Sequence, residues 1–202
     1  PVVESALTVP ESPYGWSKLM VERMLADTAA AHDFRYTALR YFNVAGADPE
    51  GRTGQSTKGA THLIKVACET AAGKRPSMEI FGADYPTRDG TGIRDYIHVT
   101  DLVDAHYLAL ERLRAGGASM TANCGYGSGY TVREVVDAVK KASGVDFEVS
   151  VSPRRAGDAI SVVANPGTAM RELGWKPACN DLDLIVRTAL SWEKSLALRN
   201  RL

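Results

Sequence analysis

Strand-like and helix-like segments alternate along this chain of 202 residues. Arg35–Phe42 is rich in β-branched and aromatic residues, which is typical of a buried strand, and a loop at Asn43–Gly46 follows it. Strands that alternate with helices indicate an α/β fold, in which ligands bind where strand ends feed glycine-containing loops. Further short strands are expected near Met78–Phe81, Asp95–Val99, Ser119–Cys124 and Phe147–Val151.

Capping residues mark the helices between these strands. Ser12 and Pro13 suit the N-cap and first position of a helix that runs to about Ala31. Thr100 is expected to cap a helix that begins at Asp101. The predicted helices after the first cover His62 to Gly73, Asp101 to about Arg114, a segment from Thr131, Pro166 to Leu173, and Leu182 to about Arg199.

Composition and charge exclude several classes of protein. Lys plus Arg and Asp plus Glu number 24 each, so the formal net charge is zero and nothing predicts a nucleic-acid partner. No apolar run approaches the ~20 residues that span a bilayer, so no membrane partner is expected. The 3 cysteines and 4 histidines lack the spacing of disulfide frameworks or metal ligands. We therefore expect no metal and a reducing, cytoplasmic location.

Tyr14 and Lys18 lie on one face of the first predicted helix because they are one helical turn apart. An unperturbed tyrosine has a pKa near ~10 and is a poor base at neutral pH, so it needs nearby positive charge to accept a proton. Lys18 supplies that charge, which makes the pair a candidate for proton transfer. The alternative is a chance pair on a solvated helix, since a lone Tyr-x-x-x-Lys pattern has weak specificity.

Longer motifs surround this pair and point to a family. The segments Ser12–Glu22, Tyr41–Gly46, Asp84–Val99 and Pro153–Asp158 resemble motifs of UDP-galactose (UDP-glucose) 4-epimerases, which are extended short-chain dehydrogenases. The resemblance runs from Pro1 to the final predicted helix. It implies the NAD-dependent interconversion of UDP-galactose and UDP-glucose, as in galactose metabolism.

The resemblance also implies roles for individual residues. Tyr14 would take the proton from the sugar 4-hydroxyl, while Lys18 and Phe42, together with Tyr14, would contact NAD. A UDP-hexose substrate would be bound by Asn43, His62, Leu63, Glu79, Phe81, Arg94, Tyr96, Arg155, Asp158 and Val162.

Within that substrate set, the residue types fit a nucleotide sugar. Asn43, Arg94 and Arg155 are expected at the phosphates, and a guanidinium suits a diphosphate because it presents fixed paired donors. By the same resemblance Asp158 would accept from a ribose hydroxyl. Val162 falls where the family sets the room for the sugar 2-substituent, so valine predicts tolerance of N-acetylated sugars.

The same resemblance predicts the domain organisation. Residues 1–45 would end a Rossmann-type NAD-binding domain, residues 46–202 would mainly form a smaller α/β substrate lobe, and 119–143 would return to the Rossmann domain. No glycine-rich dinucleotide loop precedes Tyr14, and Gly125–Gly129 has the wrong spacing and predicts a turn. The chain is therefore expected to be the C-terminal portion of an enzyme that is a homodimer when intact, and a separate N-terminal segment could accompany it.

Two alternatives stay open at this point. A related nucleotide-sugar epimerase, dehydratase or decarboxylase would share these motifs, and a dehydratase would add an acid or base pair near the sugar. An inactive UDP-sugar-binding fragment would also fit, because the glycine loop and the serine or threonine that assists Tyr14 in the family have no counterpart here.

Overall fold

The first helix and the strand after it form as the sequence predicts. A computed structural model describes residues 1–199. Helix α1 covers Pro13–Ala31, and the Ser12 hydroxyl oxygen accepts a hydrogen bond from the Gly15 N–H at 3.2 Å. Strand β1 covers Thr37–Tyr41. The N-cap prediction is confirmed, because Ser12 satisfies one of the free N–H groups in the first turn of α1.

Thirteen further elements follow in the described part of the chain. The strands are β2 (Asn43–Ala45), β3 (Ser77–Phe81), β4 (Ile93–Arg94), β5 (Tyr96–His98), β6 (Met120–Cys124), β7 (Tyr130–Thr131), β8 (Glu148–Ser152) and β9 (Ser161–Val162). The helices are α2 (Leu63–Ala71), α3 (Val99–Arg114), α4 (Val132–Ser143), α5 (Gly167–Leu173) and α6 (Leu182–Arg199).

Most strand pairs are parallel, which confirms the α/β prediction. β1 pairs with β6, β2 with β5, and β3 with β8, each in parallel. β4 lies between β7, which is antiparallel to it, and β9, which is parallel. Parallel pairs need long crossover connections, and the helices between the strands supply them.

Two local predictions are wrong. Residues 43–45 form strand β2 rather than a loop, because their backbone pairs with β5. The cap of α3 is His98 rather than Thr100: the Nδ1 atom of His98 accepts from the Thr100 N–H at 3.1 Å. A buried imidazole can replace a hydroxyl as an N-cap acceptor, but only the tertiary structure brings it there.

The main core lies between the strands and helices α2, α4 and α6. Ile64, Val135, Val139, Ile185 and Val186 are buried there together with Trp175. By contrast, none of the 19 residues of α1 is buried. No helix among residues 1–199 is both long enough and apolar enough to cross a lipid bilayer.

Candidate active site

A cavity of about 760 Å³, here called the larger cavity, brings together 9 of the 10 residues that the sequence predicts as substrate ligands. They come from β2, β3, β4 and β5, the start of α2, and the segment before β9. The nine residues are Asn43, His62, Leu63, Glu79, Phe81, Arg94, Tyr96, Arg155 and Asp158.

Strand register places the first of these side chains. Asn43 on β2 lies opposite Tyr96 on β5, and the Asn43 N–H donates to the Asp95 carbonyl at 3.0 Å. His62 and Leu63 stand at the beginning of α2, where His62 is the N-cap residue without a side-chain capping bond. The His62 Nδ1 atom instead lies 3.1 Å from the amide nitrogen of Gln55. The Gln55 amide therefore fixes the orientation of the His62 imidazole, which lines the cavity.

Two arginines make the opposite wall positive. The Arg155 Nε atom donates to the Asp158 carboxylate at 2.8 Å, and its guanidinium lies 4.7 Å from the centroid of the Phe81 ring. Arg94 Nη1 donates to the Ile93 carbonyl at 2.8 Å. An aromatic ring, two guanidiniums and one carboxylate thus lie together, which suits a flat base, an anionic linker and a hydroxylated ring.

A second cavity of about 450 Å³, here called the smaller cavity, adjoins the first. Tyr14, Phe42 and Val162 line it, and Asn43 and His62 line both cavities. The tenth predicted ligand, Val162, therefore lies at this end, opposite Arg94 in the register of β4 and β9. The two cavities form one continuous site with Tyr14 at one end and Arg155 at the other.

Tyr14 and Lys18 lie next to each other on an exposed helix surface. The Lys18 ammonium lies 5.1 Å from the centroid of the Tyr14 ring. Tyr14 itself is 70% exposed. The ammonium thus lies near the phenol, but in this chain water surrounds the pair on the side away from the smaller cavity.

The glycine loop Gly125–Gly129 is a turn around an internal carboxylate. The Asp95 carboxylate accepts from the N–H groups of Tyr126 at 2.9 Å, Gly127 at 3.0 Å and Ala164 at 3.1 Å. Burial raises the pKa of Asp95, and these donors oppose the rise. Two N–H groups of the loop, those of Tyr126 and Gly127, are thus engaged by an internal carboxylate.

His98 is buried and part of the packing. Its Nε2 atom lies 3.1 Å from the Thr188 hydroxyl on α6, and its backbone N–H donates to the Tyr126 hydroxyl at 3.0 Å. Burial lowers the pKa of His98, although Asp101 opposes the change. Among residues 1–199, no group of three or more His, Cys, Asp or Glu side chains has the arrangement of a metal site.

Three residues of the site do not stand out in the sequence. Arg75 and Tyr85 line the larger cavity, and Gln55 contacts His62. Tyr85 lies within the long motif that begins at Asp84, so the motif could have indicated it. Arg75 and Gln55 lie in polar loops without recognisable spacing, and only the fold brings Arg75 to the cavity and Gln55 to His62.

The chain belongs to the NAD dependent epimerase/dehydratase family, whose model matches residues 2–125. It is 58% identical over 196 residues to the UDP-glucose 4-epimerase of Azospirillum brasilense. The aligned region covers 97% of this chain and 56% of that protein.

Two solved structures are similar. UDP-glucose 4-epimerase from Stenotrophomonas maltophila with bound NAD and formylated UDP-arabinopyranose superimposes with a TM-score of 0.94 at 41% identity, covering 98% of this chain and 60% of that one. The UDP-Glc/GlcNAc 4-epimerase from Campylobacter jejuni gives a TM-score of 0.78 at 48% identity, covering 96% of this chain and 59% of that one. The chain thus spans 56 to 60% of the length of these relatives.

Proposed function

We propose that this chain carries the UDP-sugar site and the proton-transfer residues of an NAD-dependent enzyme that interconverts UDP-galactose and UDP-glucose. One observation carries the proposal. The larger cavity, with residues suited to a nucleotide, joins the smaller cavity at Asn43 and His62, and Tyr14 lines the smaller cavity.

The larger cavity supplies what a uridine diphosphate needs. The Phe81 ring, on β3, offers a flat apolar face to uracil, and Glu79 lies on the same strand. Arg94 and Arg155 provide permanently charged donors for the diphosphate, and Asp158 provides an acceptor for a ribose hydroxyl. The Arg155–Asp158 pair then orients the guanidinium, since the two side chains already contact each other at 2.8 Å.

The smaller cavity would hold the hexose. There Tyr14 accepts the proton of the sugar 4-hydroxyl, and the positive charge of Lys18 favours the phenolate that this transfer requires. Asn43 holds the phosphate end in place, so that the sugar remains in the cavity while its 4-keto form turns and presents its other face. Tyr14 then returns the proton to the 4-oxygen, and C4 is inverted because the turned 4-keto sugar is reduced on its other face.

The residues around Tyr14 also fit the nicotinamide end of NAD. Tyr14 and Phe42 line one cavity, and the Lys18 ammonium is free to reach ribose hydroxyls from the same helix face. When bound, NAD supplies the acceptor and donor of the C4 hydride. In the glycine loop at 125–129, the N–H groups of Tyr126 and Gly127 donate to Asp95 and are therefore engaged within the protein.

The activity is proposed for a polypeptide assembly that supplies the residues corresponding to the remaining length of the relatives. In that assembly, residues 1–45 and 119–143 complete an NAD-binding Rossmann domain, and the rest of 46–202 forms most of the substrate lobe. A separate N-terminal segment would serve as well as a continuous chain. The intact enzyme is proposed to be a homodimer that pairs the exposed α1 helices, to act in the cytoplasm, and to serve galactose metabolism.

Val162 bears on which sugars enter the smaller cavity. A half-buried valine leaves more room beside the hexose than a tyrosine would, so both plain and N-acetylated UDP-hexoses are proposed as substrates. A full-length enzyme with no detectable turnover of UDP-N-acetylglucosamine would contradict this part of the proposal.

A second candidate is a chain that binds UDP-sugars without catalysing their conversion. The 70% exposure of Tyr14 favours it for the chain by itself, because water surrounds the phenol on its open side. A nucleotide-sugar dehydratase of the same family is the other alternative, and product analysis after incubation with UDP-glucose distinguishes it by a 4-keto product.

The test combines four measurements on the purified protein. Denatured intact masses show whether a second polypeptide accompanies the 21.8 kDa chain, and the UV spectrum shows whether NAD is retained. Calorimetric titration with UDP and a coupled assay with UDP-galactose follow. The proposal expects UDP binding in either form, and epimerisation where the additional residues and NAD are present. Absence of UDP binding would overturn it; UDP binding without turnover in an NAD-loaded assembly would favour the second candidate.

A further inference from the structure

Helix α1 carries Tyr14 and Lys18 but has little packing to hold it in place. None of its residues is buried, and Trp16, Met20 and Met24 are exposed. Proton transfer requires the phenol to stand within hydrogen-bond reach of the sugar hydroxyl. Some other interaction must therefore set the position and rotation of the helix.

An ion pair between α1 and strand β1 provides that interaction. Arg40 Nε donates to one oxygen of the Glu22 carboxylate at 2.8 Å, and Nη2 donates to the other at 2.6 Å. The two side chains are only 27% and 24% exposed. The hydrogen bond to Glu22 raises the pKa of Arg40 further, although burial opposes this. Two parallel charged bonds restrict orientation as well as distance.

The ion pair is a side-chain connection between α1 and strand β1. Among residues 1–199, it is the one place where a side chain of α1 shares a hydrogen bond with a side chain of another element. Arg40 also donates through Nη1 to the Glu4 carbonyl at 3.0 Å, and the Glu4 carboxylate accepts from the Asn123 N–H at 2.8 Å. Asn123 lies on β6, directly opposite Arg40 in the strand register. Helix α1 is therefore connected through Arg40 to the paired strands β1 and β6.

The position of Glu22 in the helix links this ion pair to the reaction centre. Tyr14, Lys18 and Glu22 follow one another at intervals of one helical turn, so they share a face of α1. Arg40 also lines the smaller cavity beside Tyr14, and Phe42 is the next residue but one along the chain. The ion pair at Glu22 thus holds one face of α1 against strand β1, and that same face carries Tyr14.

We propose that Arg40 and Glu22 are positioning residues that hold Tyr14 at the smaller cavity, an inference that rests on the proposed epimerase function. Three of the five N–H donors of Arg40 are engaged by Glu22 and Glu4, so the guanidinium is fixed between helix α1 and strand β1. The bidentate geometry also makes lysine a poor replacement, since an ammonium cannot present two parallel donors.

Hydrogen–deuterium exchange tests the position of the helix without any assay of activity. We expect Glu22→Gln to increase amide exchange across residues 13–31, with Arg40→Lys acting in the same direction. Residues 132–143 of α4 should keep the exchange of the parent chain in both variants. Asp27→Asn is the matched control because it removes one negative charge from an exposed position of the same helix, and its exchange should equal that of the parent. Unchanged exchange of residues 13–31 in Glu22→Gln would overturn the inference.

Kinetics of the active form provide the second measurement. A misplacement of about 1 Å can cost ~10²-fold in rate, so we expect kcat to fall by about 10- to 100-fold in Glu22→Gln. The affinity for UDP should stay within about twofold, because the UDP ligands lie on other elements. A parallel loss of UDP affinity would indicate general unfolding and overturn a positioning role. If no form of the protein epimerises UDP-galactose, the proposed function fails, while the exchange experiment still decides whether the ion pair holds α1.

Discussion

The larger cavity and helix α1 differ in how completely this chain builds them. Four strands (β2, β3, β4 and β5) and helix α2 contribute to the walls of the larger cavity. Tyr96, which lines this cavity, is 4% exposed. Burial raises the pKa of that tyrosine, which makes it a packing and lining residue rather than a base. On α1, Tyr14, the proposed proton acceptor, is 70% exposed, and the helix has no buried residue.

This difference in packing distinguishes the region proposed to bind the nucleotide sugar from the region proposed to transfer the proton. A cavity whose walls are held by the core is preorganised for a nucleotide sugar, because little side-chain entropy is lost on binding. A base on a weakly packed helix depends on further contacts for its position and for exclusion of water. The nucleotide-binding half of the site is therefore expected to work in this chain by itself, whereas the proton-transfer half needs the ion pair at Arg40 and additional covering residues.

The largest effect is expected for the Tyr14 hydroxyl. In the active form, Tyr14→Phe should lower kcat by ~10²–10⁴-fold, because a general base that accepts the sugar proton is lost. The affinity for UDP should not change. Tyr107→Phe, which removes a hydroxyl from an exposed tyrosine on α3, is the control and should have parent kinetics. Loss of UDP affinity in Tyr14→Phe would mean that the two halves of the site are not separable.

The buried ion pairs of Glu193 test the stability of the larger cavity. Glu193 on α6 is 2% exposed and accepts from Lys65 on α2 and from Lys74 just after it. Removal of one partner of a buried pair costs ~3–5 kcal/mol, so Glu193→Gln should lower the free energy of unfolding in urea by about that amount. The exposed control Glu172→Gln should stay within ~0.5 kcal/mol of the parent. Equal stability of the two variants would show that α2 does not depend on this contact.

The same carboxylate predicts a dependence on pH. Burial alone would raise the pKa of Glu193, but the hydrogen bonds and charges of Lys65 and Lys74 outweigh it and lower the pKa. A lowered folded-state pKa means that the stabilisation is fully present above the ordinary carboxyl pKa of ~4.3 and is lost as pH falls through the folded value. The stability difference between the parent and Glu193→Gln should therefore shrink below about pH 4. A constant difference between pH 7 and pH 3 would contradict this assignment.

A smaller effect is expected at the nucleotide end. Arg155→Ala should weaken UDP binding by ~10- to 100-fold, since a hydrogen bond to a charged group contributes ~1.5–3 kcal/mol. Calorimetry on the chain by itself can measure this, because no residue of α1 lines the larger cavity. Arg171→Ala, at an exposed arginine paired only with its neighbour Glu172 and its own helix, is the control. Equal UDP affinity of the two variants would show that Arg155 does not bind UDP.

Much of the architecture could be predicted from local patterns. Ser12 before Pro13 marked the start of α1, and the capping box of Thr131 and Glu134 marks α4 in the same way. These predictions succeed because caps and helix propensity depend on neighbouring residues only. The short strands β2, β4, β7 and β9 escaped prediction, since two or three residues have no periodicity and pair only when a partner strand is near.

The chain determined by itself the family, the α/β class and the set of residues proposed to carry chemistry, because long motifs and local caps are properties of sequence alone. Only the tertiary structure decided that nine of those residues meet in one cavity, that Asp95 uses the donors of the glycine loop, and that Arg40 holds Glu22. These facts depend on contacts between residues as many as 119 positions apart, as from Glu4 to Asn123. Such contacts form when strand pairing and burial bring distant segments together, and spacing along the chain does not encode them locally.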